Sequence, residues 1–125
     1  MREITCSTIT DAIKKMCIEA ATILPQDVEK ALSQKHAEED SELAKKTLQV
    51  LMDNAKLAHE KQMPICQDTG MAFVYVTMGQ EVHITGGSLN EAIQEGVRQG
   101  YTEGYLRKSV VKDPCLLYTS DAADE

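Results

Sequence analysis

The chain has no tryptophan and one phenylalanine, and aromatic residues make up only 4% of its 125 positions. No stretch approaches the roughly 18–20 consecutive apolar residues that a membrane-spanning helix needs. The opening Met1-Arg2-Glu3-Ile4-Thr5 also lacks the apolar core of a secretory signal. A cytoplasmic protein without membrane contact is the expectation. Basic charge is scarce as well, with 13 Lys and Arg against 20 Asp and Glu and a net charge of −7. General binding to phosphate backbones or anionic membranes is therefore disfavoured, and no nucleic-acid partner is expected. The four cysteines, at positions 6, 17, 66 and 115, show no close pairing such as C-x-x-C. In a reducing compartment they are expected as thiols, structural or ligating, and not as disulfides. What remains is an ordinary composition, 42% apolar and 26% charged, and enough length for one domain with a modest core.

The last eleven residues stand apart. Cys115-Leu-Leu-Tyr-Thr-Ser-Asp-Ala-Ala-Asp-Glu125 has neither helical nor strand period and follows no cap or turn. It resembles the in-frame translation of a transposase-type sequencing adapter, a kind of scar that fold reasoning has to exclude. A frayed natural terminus is the alternative. The expected organisation is a biological segment 1–114, truncated before the rest of its domain, and an appended segment 115–125.

Residues 1–62 read as helices. Ile9, Ile13, Met16, Cys17, Ala20 and Leu24 recur at spacings of three and four, and Thr8 with Asp11 resembles a capping box. Leu24-Pro25 ends that helix, because a residue before proline avoids the α region. A short second helix follows, with Val28 and Leu32 inward. Ser41 caps a third, running to about Lys61, in which Ala44, Leu48, Leu51, Ala55 and Ala58 form one stripe and Leu43, Val50 and Leu57 another. Two stripes predict a broadly buried helix. At Met63-Pro64 the period changes. Met71 to Met78 is β-branched, aromatic and apolar at both parities, which predicts a strand covered on both faces, with Glu81-Val82-His83-Ile84 as the return strand of a hairpin. After Gly86-Gly87, Ser88-Leu89-Asn90-Glu91 reads as a capping box opening a helix through Leu89, Ala92, Ile93, Val97 and Tyr101. Gly96, Gly100 and Gly104 fall on one face of it. Each glycine costs a helix interior roughly 1 kcal/mol against alanine, so close approach of another backbone or a ligand is expected there. The fold class that follows is α+β, mainly helical, with three N-terminal helices, a short β-hairpin and a further helix.

Chemistry concentrates in Pro64-Ile65-Cys66-Gln67-Asp68-Thr69-Gly70, a loop between rigid elements. Cys66 could serve as a nucleophile, a redox thiol or a soft-metal ligand, all of which need an accessible thiolate. A nucleophile would want a histidine partner, and His36, His59 and His83 sit at surface positions of their periodic segments. The plain alternative is a turn in which Asp68 and Thr69 bond nearby backbone and Gly70 takes a positive φ. Arg107, read in isolation, is a cation at a helix C-terminus. Cys17 lies on the apolar stripe of the first helix and reads as core, and Cys6 receives no role.

The stretch Pro64 to Gly70, then Gly79-Gln80-Glu81-Val82-His83, then Glu95-Gly96-Val97-Arg98 through Tyr105-Leu106-Arg107-Lys108-Ser109, resembles the α subunit of the two-subunit iron–sulfur fumarate hydratases, the class I fumarases. The related tartrate dehydratases share the Cys-Gln-Asp-Thr-Gly element. The resemblance implies a [4Fe–4S] cluster on three cysteine thiolates with one open iron, and Cys66 matches the first of the three. It implies that Gln67 and Asp68 line the substrate site, with Asp68 a candidate catalytic residue for proton transfer, and that Arg107 binds a substrate carboxylate, a role suited to a guanidinium fork. The open iron would act as a Lewis acid in a lyase reaction on a C4-dicarboxylate, fumarate to malate, with a separate β subunit completing the pocket. The other two cluster cysteines lie beyond these residues in the family, so the 125-residue chain alone is expected to be inactive. Tartrate dehydration is the alternative within the family. A non-catalytic helical interaction module, docking a partner through its glycine face, is the alternative outside it. Two further cysteines downstream and an adjacent β-subunit reading frame would separate enzyme from module.

Overall fold

A computed structural model describes residues 2–109. The segment 115–125, with the adapter reading attached to it, lies outside the described residues. Among the described residues six elements follow in order: β1 (Arg2–Thr5), α1 (Cys6–Thr22), α2 (Gln26–Glu38), α3 (Glu42–Lys61), β2 (Val82–Thr85) and α4 (Leu89–Glu103). The protein is mainly helical α+β, as its periodicity predicts. Two compact units divide it, Met1–Ile18 with Gln67–Glu125, and Glu19–Cys66.

In the first unit β1 and β2 pair in parallel, with Ile4 opposite Ile84 and Thr5 opposite Thr85. This corrects the expected hairpin. The segment 82–85 is a strand, but its partner is the N-terminus and not residues 71–78, which form no strand and are exposed along their whole length. A strand exists by its ladder. The β-branched run 71–78 has no neighbouring backbone to pair with among the described residues, while Arg2-Glu3-Ile4-Thr5, too short and too charged to signal a strand, has one.

Helix α1 starts three residues earlier than its apparent capping box, because Thr5 is the cap. Its Oγ1 accepts the Thr8 amide at 3.3 Å. Helix α4 begins where expected, with Ser88 in the extended conformation of an N-cap, but without the side-chain bond of a capping box. The glycine face has the partner its cost demanded. A methyl group placed on Gly96 would lie 2.6 Å from Ile13 Cβ, one on Gly100 2.8 Å from Cys17 Cβ, and one on Gly104 2.8 Å from Ile18 Cγ1. Helix α1 thus rests on α4 at backbone distance. Thr10 Oγ1 donates to Ala92 O at 3.0 Å across the same contact, and Lys14 pairs with Glu103 at 3.3 Å. Ile13, Ala92 and Leu106 form the buried apolar core of this unit.

In the second unit α2 and α3 pack against each other. Ser41 caps α3 as expected, its Oγ accepting the Ala44 amide at 3.4 Å, and Gln62 closes it in the left-handed region at φ 53°. The broad burial expected of α3 is not found. Only Ala58 is buried, while Leu43 is 77% exposed and Val50 64%. One neighbouring helix can cover only one stripe of a two-stripe surface. Val28, expected inward on α2, is likewise exposed, and Leu32 is half-buried. Beyond α3 the chain is tied back within this unit: Asn54 Nδ2 donates to Ile65 O at 2.8 Å, and the Ile65 amide donates to Ala21 O at 2.9 Å. No helix among the described residues is long and apolar enough to cross a membrane.

Candidate active site

The loop singled out by sequence straddles the end of one unit and the return of the other. Cys66 is the last residue of the second unit, directly after the doubly anchored Ile65, and its thiol is exposed and outside any disulfide. Gln67 opens the return of the first unit and is exposed. Asp68 then forms a turn of its own, its Oδ1 accepting the Gly70 amide at 3.1 Å while Gly70 takes φ +63°. An Asx-type turn followed by a positive-φ glycine is what these residue types favour. The turn reading and the catalytic reading of Asp68 are compatible, since this bond uses one of the carboxylate's several lone pairs.

Thr69 joins this turn to a segment 38 residues away. Its hydroxyl accepts the Arg107 amide at 3.0 Å and donates to the Arg107 carbonyl at 3.3 Å. Tyr101 adds a bond from its phenol to Gly70 O at 3.4 Å. Burial, together with the nearby Cys17 thiol, raises the Tyr101 pKa and keeps the phenol in its donating form. Two of the residues singled out by sequence, Asp68 and Arg107, are therefore held in one substructure of the first unit.

That substructure borders a pocket of about 630 Å³ lined by Gly70, Met71, Val74, Ile93, Val97 and Tyr101, with Arg98, Arg107 and Lys108 also at its wall. Helix α4 serves two sides at once. Ala92, Gly96 and Gly100 are buried on the α1 side, and the positions one step around, Ile93, Val97 and Tyr101, line the pocket. In the sequence Ile93, Val97 and Tyr101 mark the course of a helix. Their helical register cannot tell a pocket from a core, and Thr69 carried no signal beyond its turn propensity.

The three cations differ. Arg98 is engaged through its Nε and Nη2 by Glu95, and Arg98 with Gln99 holds that carboxyl down to about 2. Among the described residues no ion pair holds Arg107 or Lys108. Arg107 is exposed, with its backbone fixed by the Thr69 hydroxyl.

An iron–sulfur cluster asks for several thiolates converging on one point. Among the described residues no three His, Cys, Asp or Glu side chains converge as a metal site. Cys6 donates to Ser88 O at 3.7 Å, and Cys17 packs against Gly100, its thiol pKa raised by burial. Among the described residues Cys66 alone has the exposure of a ligand, so they fit one thiolate position of a cluster and do not build the remainder. Timed alkylation of the folded chain read by mass spectrometry should label Cys66 well before Cys17. Equal rates would contradict this environment.

The fumarate hydratase (Fumerase) family matches residues 10–124, a span that takes in the loop at 66–70, Arg107, and positions on both sides of Pro114. The chain is similar to the putative L(+)-tartrate dehydratase subunit alpha of Methanocaldococcus jannaschii, 38% identical over 104 residues, which is 82% of this chain and 36% of that protein. It is similar to the putative fumarate hydratase class I of Geobacillus stearothermophilus, 31% identical over 102 residues, 81% of this chain and 20% of that one. It is also similar to the L(+)-tartrate dehydratase subunit alpha of Escherichia coli K12, 26% identical over 104 residues, 83% of this chain and 34% of the subunit. The chain thus spans about a third or less of the length of these relatives. The extent of the family match settles membership: the chain belongs to the fumarate hydratase (Fumerase) family.

Proposed function

We propose that the chain is part of the α subunit of an iron–sulfur hydro-lyase that adds or removes water on a C4-dicarboxylate, fumarate to malate. The observation that carries this reading is the docking of the Asp68 turn onto the Arg107 backbone at the wall of a pocket. Arg107 binds one substrate carboxylate, its guanidinium matching two carboxylate oxygens. Asp68 accepts the proton from the carbon next to a carboxylate in the dehydration direction and returns it in hydration. Gln67, beside it in sequence, contributes amide hydrogen bonds that orient the substrate. Cys66 supplies one of three thiolates for a [4Fe–4S] cluster, and a β subunit completes the pocket. The cluster, when bound, supplies Lewis-acid activation of the hydroxyl that departs as water. Such help is wanted because hydroxide is a poor leaving group at neutral pH. A cytoplasmic location belongs to the same proposal, because reduced thiols persist in a reducing compartment.

Tartrate dehydration is the second reading, favoured by the 38% identity to a protein named for that reaction. It would use the same Cys66, Gln67, Asp68 and Arg107. Cys66→Ser in the complete α–β enzyme tests the shared part. Visible cluster absorption, the paramagnetic signal on reduction and water elimination should all be lost together. Retention of absorption and signal would overturn the ligand assignment.

A further inference from the structure

We propose that Thr69 is a positioning residue whose hydroxyl holds the Arg107 backbone so that its guanidinium meets the substrate carboxylate; this rests on the functional reading above. The segment that carries Arg107 leaves α4 abruptly. Gly104 closes the helix with its amide on Gly100 O at 2.9 Å, Tyr105 turns into the left-handed region at φ 55°, and the Leu106 amide returns to Tyr101 O at 3.0 Å. Leu106 is buried, only 5% exposed, and plugs the turn into the unit. Arg107 comes next, with both of its backbone polar groups on one side chain, Thr69 Oγ1. Its own side chain is exposed, and among the described residues no ion pair pre-orients it.

The Asp68 turn has separate supports. Gly70 N bonds Asp68 Oδ1, and Tyr101 Oη bonds Gly70 O. Removing the Thr69 hydroxyl therefore leaves the Asp68 turn with two ties and the Arg107 backbone with none among the described residues. A freed arginine must be ordered at each binding event, a cost met before chemistry and shared by bound substrate and transition state. Loss of uniform binding raises KM and spares kcat.

The test compares Thr69→Val, which keeps shape but lacks the hydroxyl, with Thr69→Ser, which keeps the hydroxyl, in the complete α–β enzyme. Thr69→Val should raise KM for malate roughly tenfold, the size of two lost hydrogen bonds, with kcat within about threefold. Thr69→Ser should restore most of it. In an Arg107→Ala background Thr69→Val should add no further rise, because the two act as one unit. A KM unchanged by Thr69→Val, or a full additional rise in the Arg107→Ala background, would overturn the proposal. Hydrogen exchange of the Arg107 amide in the 125-residue chain gives a reading independent of turnover. It should be protected in the wild type and in Thr69→Ser and exposed in Thr69→Val, and equal exchange in all three would overturn the clamp. If the wild-type enzyme turns over neither malate nor tartrate, the functional reading fails, and the exchange result alone then upholds or overturns the clamp.

Discussion

Asp68→Asn in the complete enzyme is expected to lower kcat for malate dehydration by roughly 10²–10⁴-fold, the usual contribution of a positioned acid–base group. The substitution isolates chemistry from structure. An asparagine Oδ1 still accepts the Gly70 amide, so the turn that presents residue 68 survives, and Thr69 still meets Arg107. KM should change little and cluster absorption should persist, since Cys66 is untouched. Activity within a few-fold of wild type would remove Asp68 from the proton transfer and return it to the turn reading alone.

Gly96→Ala carries the largest expected effect on stability. Alanine is the better helix former by about 1 kcal/mol, so on an exposed face the substitution would stabilise. Here the new methyl would sit 2.6 Å from Ile13 Cβ and 2.8 Å from the Thr10 carbonyl oxygen. A Cβ and a backbone oxygen are not the flexible ends of side chains, so α1 must move as a body. Overpacking of this kind costs about 1–3 kcal/mol and outweighs or cancels the propensity gain, leaving a net loss of up to about 2 kcal/mol. Thermal unfolding should fall by several degrees, at about 4–8 °C per kcal/mol for a domain of this size. Gly79→Ala, in a loop where nothing lies within 4 Å of the added methyl and φ is ordinary, should leave Tm nearly unchanged. A rise in Tm for Gly96→Ala, the gain alanine gives on an uncovered helix face, would mean that α1 does not lie on the glycine face.

Periodicity made the four helices legible, because a 3.6-residue pattern is local. The cost of three glycines on one face of α4 also pointed to a close neighbour, and α1 is that neighbour. Strand pairing was not legible. Residues 71–78 have every local mark of a strand and lie unpaired and exposed, while Arg2–Thr5, with one apolar side chain, pairs with β2. A ladder is a property of two segments, and a pattern in one of them cannot name the other. The same distinction applies at the site. Cys66, Asp68 and Gly70 stood out by type and by turn chemistry. Thr69 is expected, like Asp68, to bond nearby backbone, and it bonds instead the Arg107 backbone 38 residues away, a contact that leaves no trace in composition.

The most direct measurement is the rate of water elimination by the assembled α–β enzyme, with its cluster reconstituted without oxygen, on malate and on tartrate. Formation of fumarate from malate at a rate at least tenfold above formation of the oxo-acid from tartrate is the result predicted here. The reverse preference would assign the chain to the tartrate branch with the same site, and no turnover of either substrate would contradict a dicarboxylate hydro-lyase.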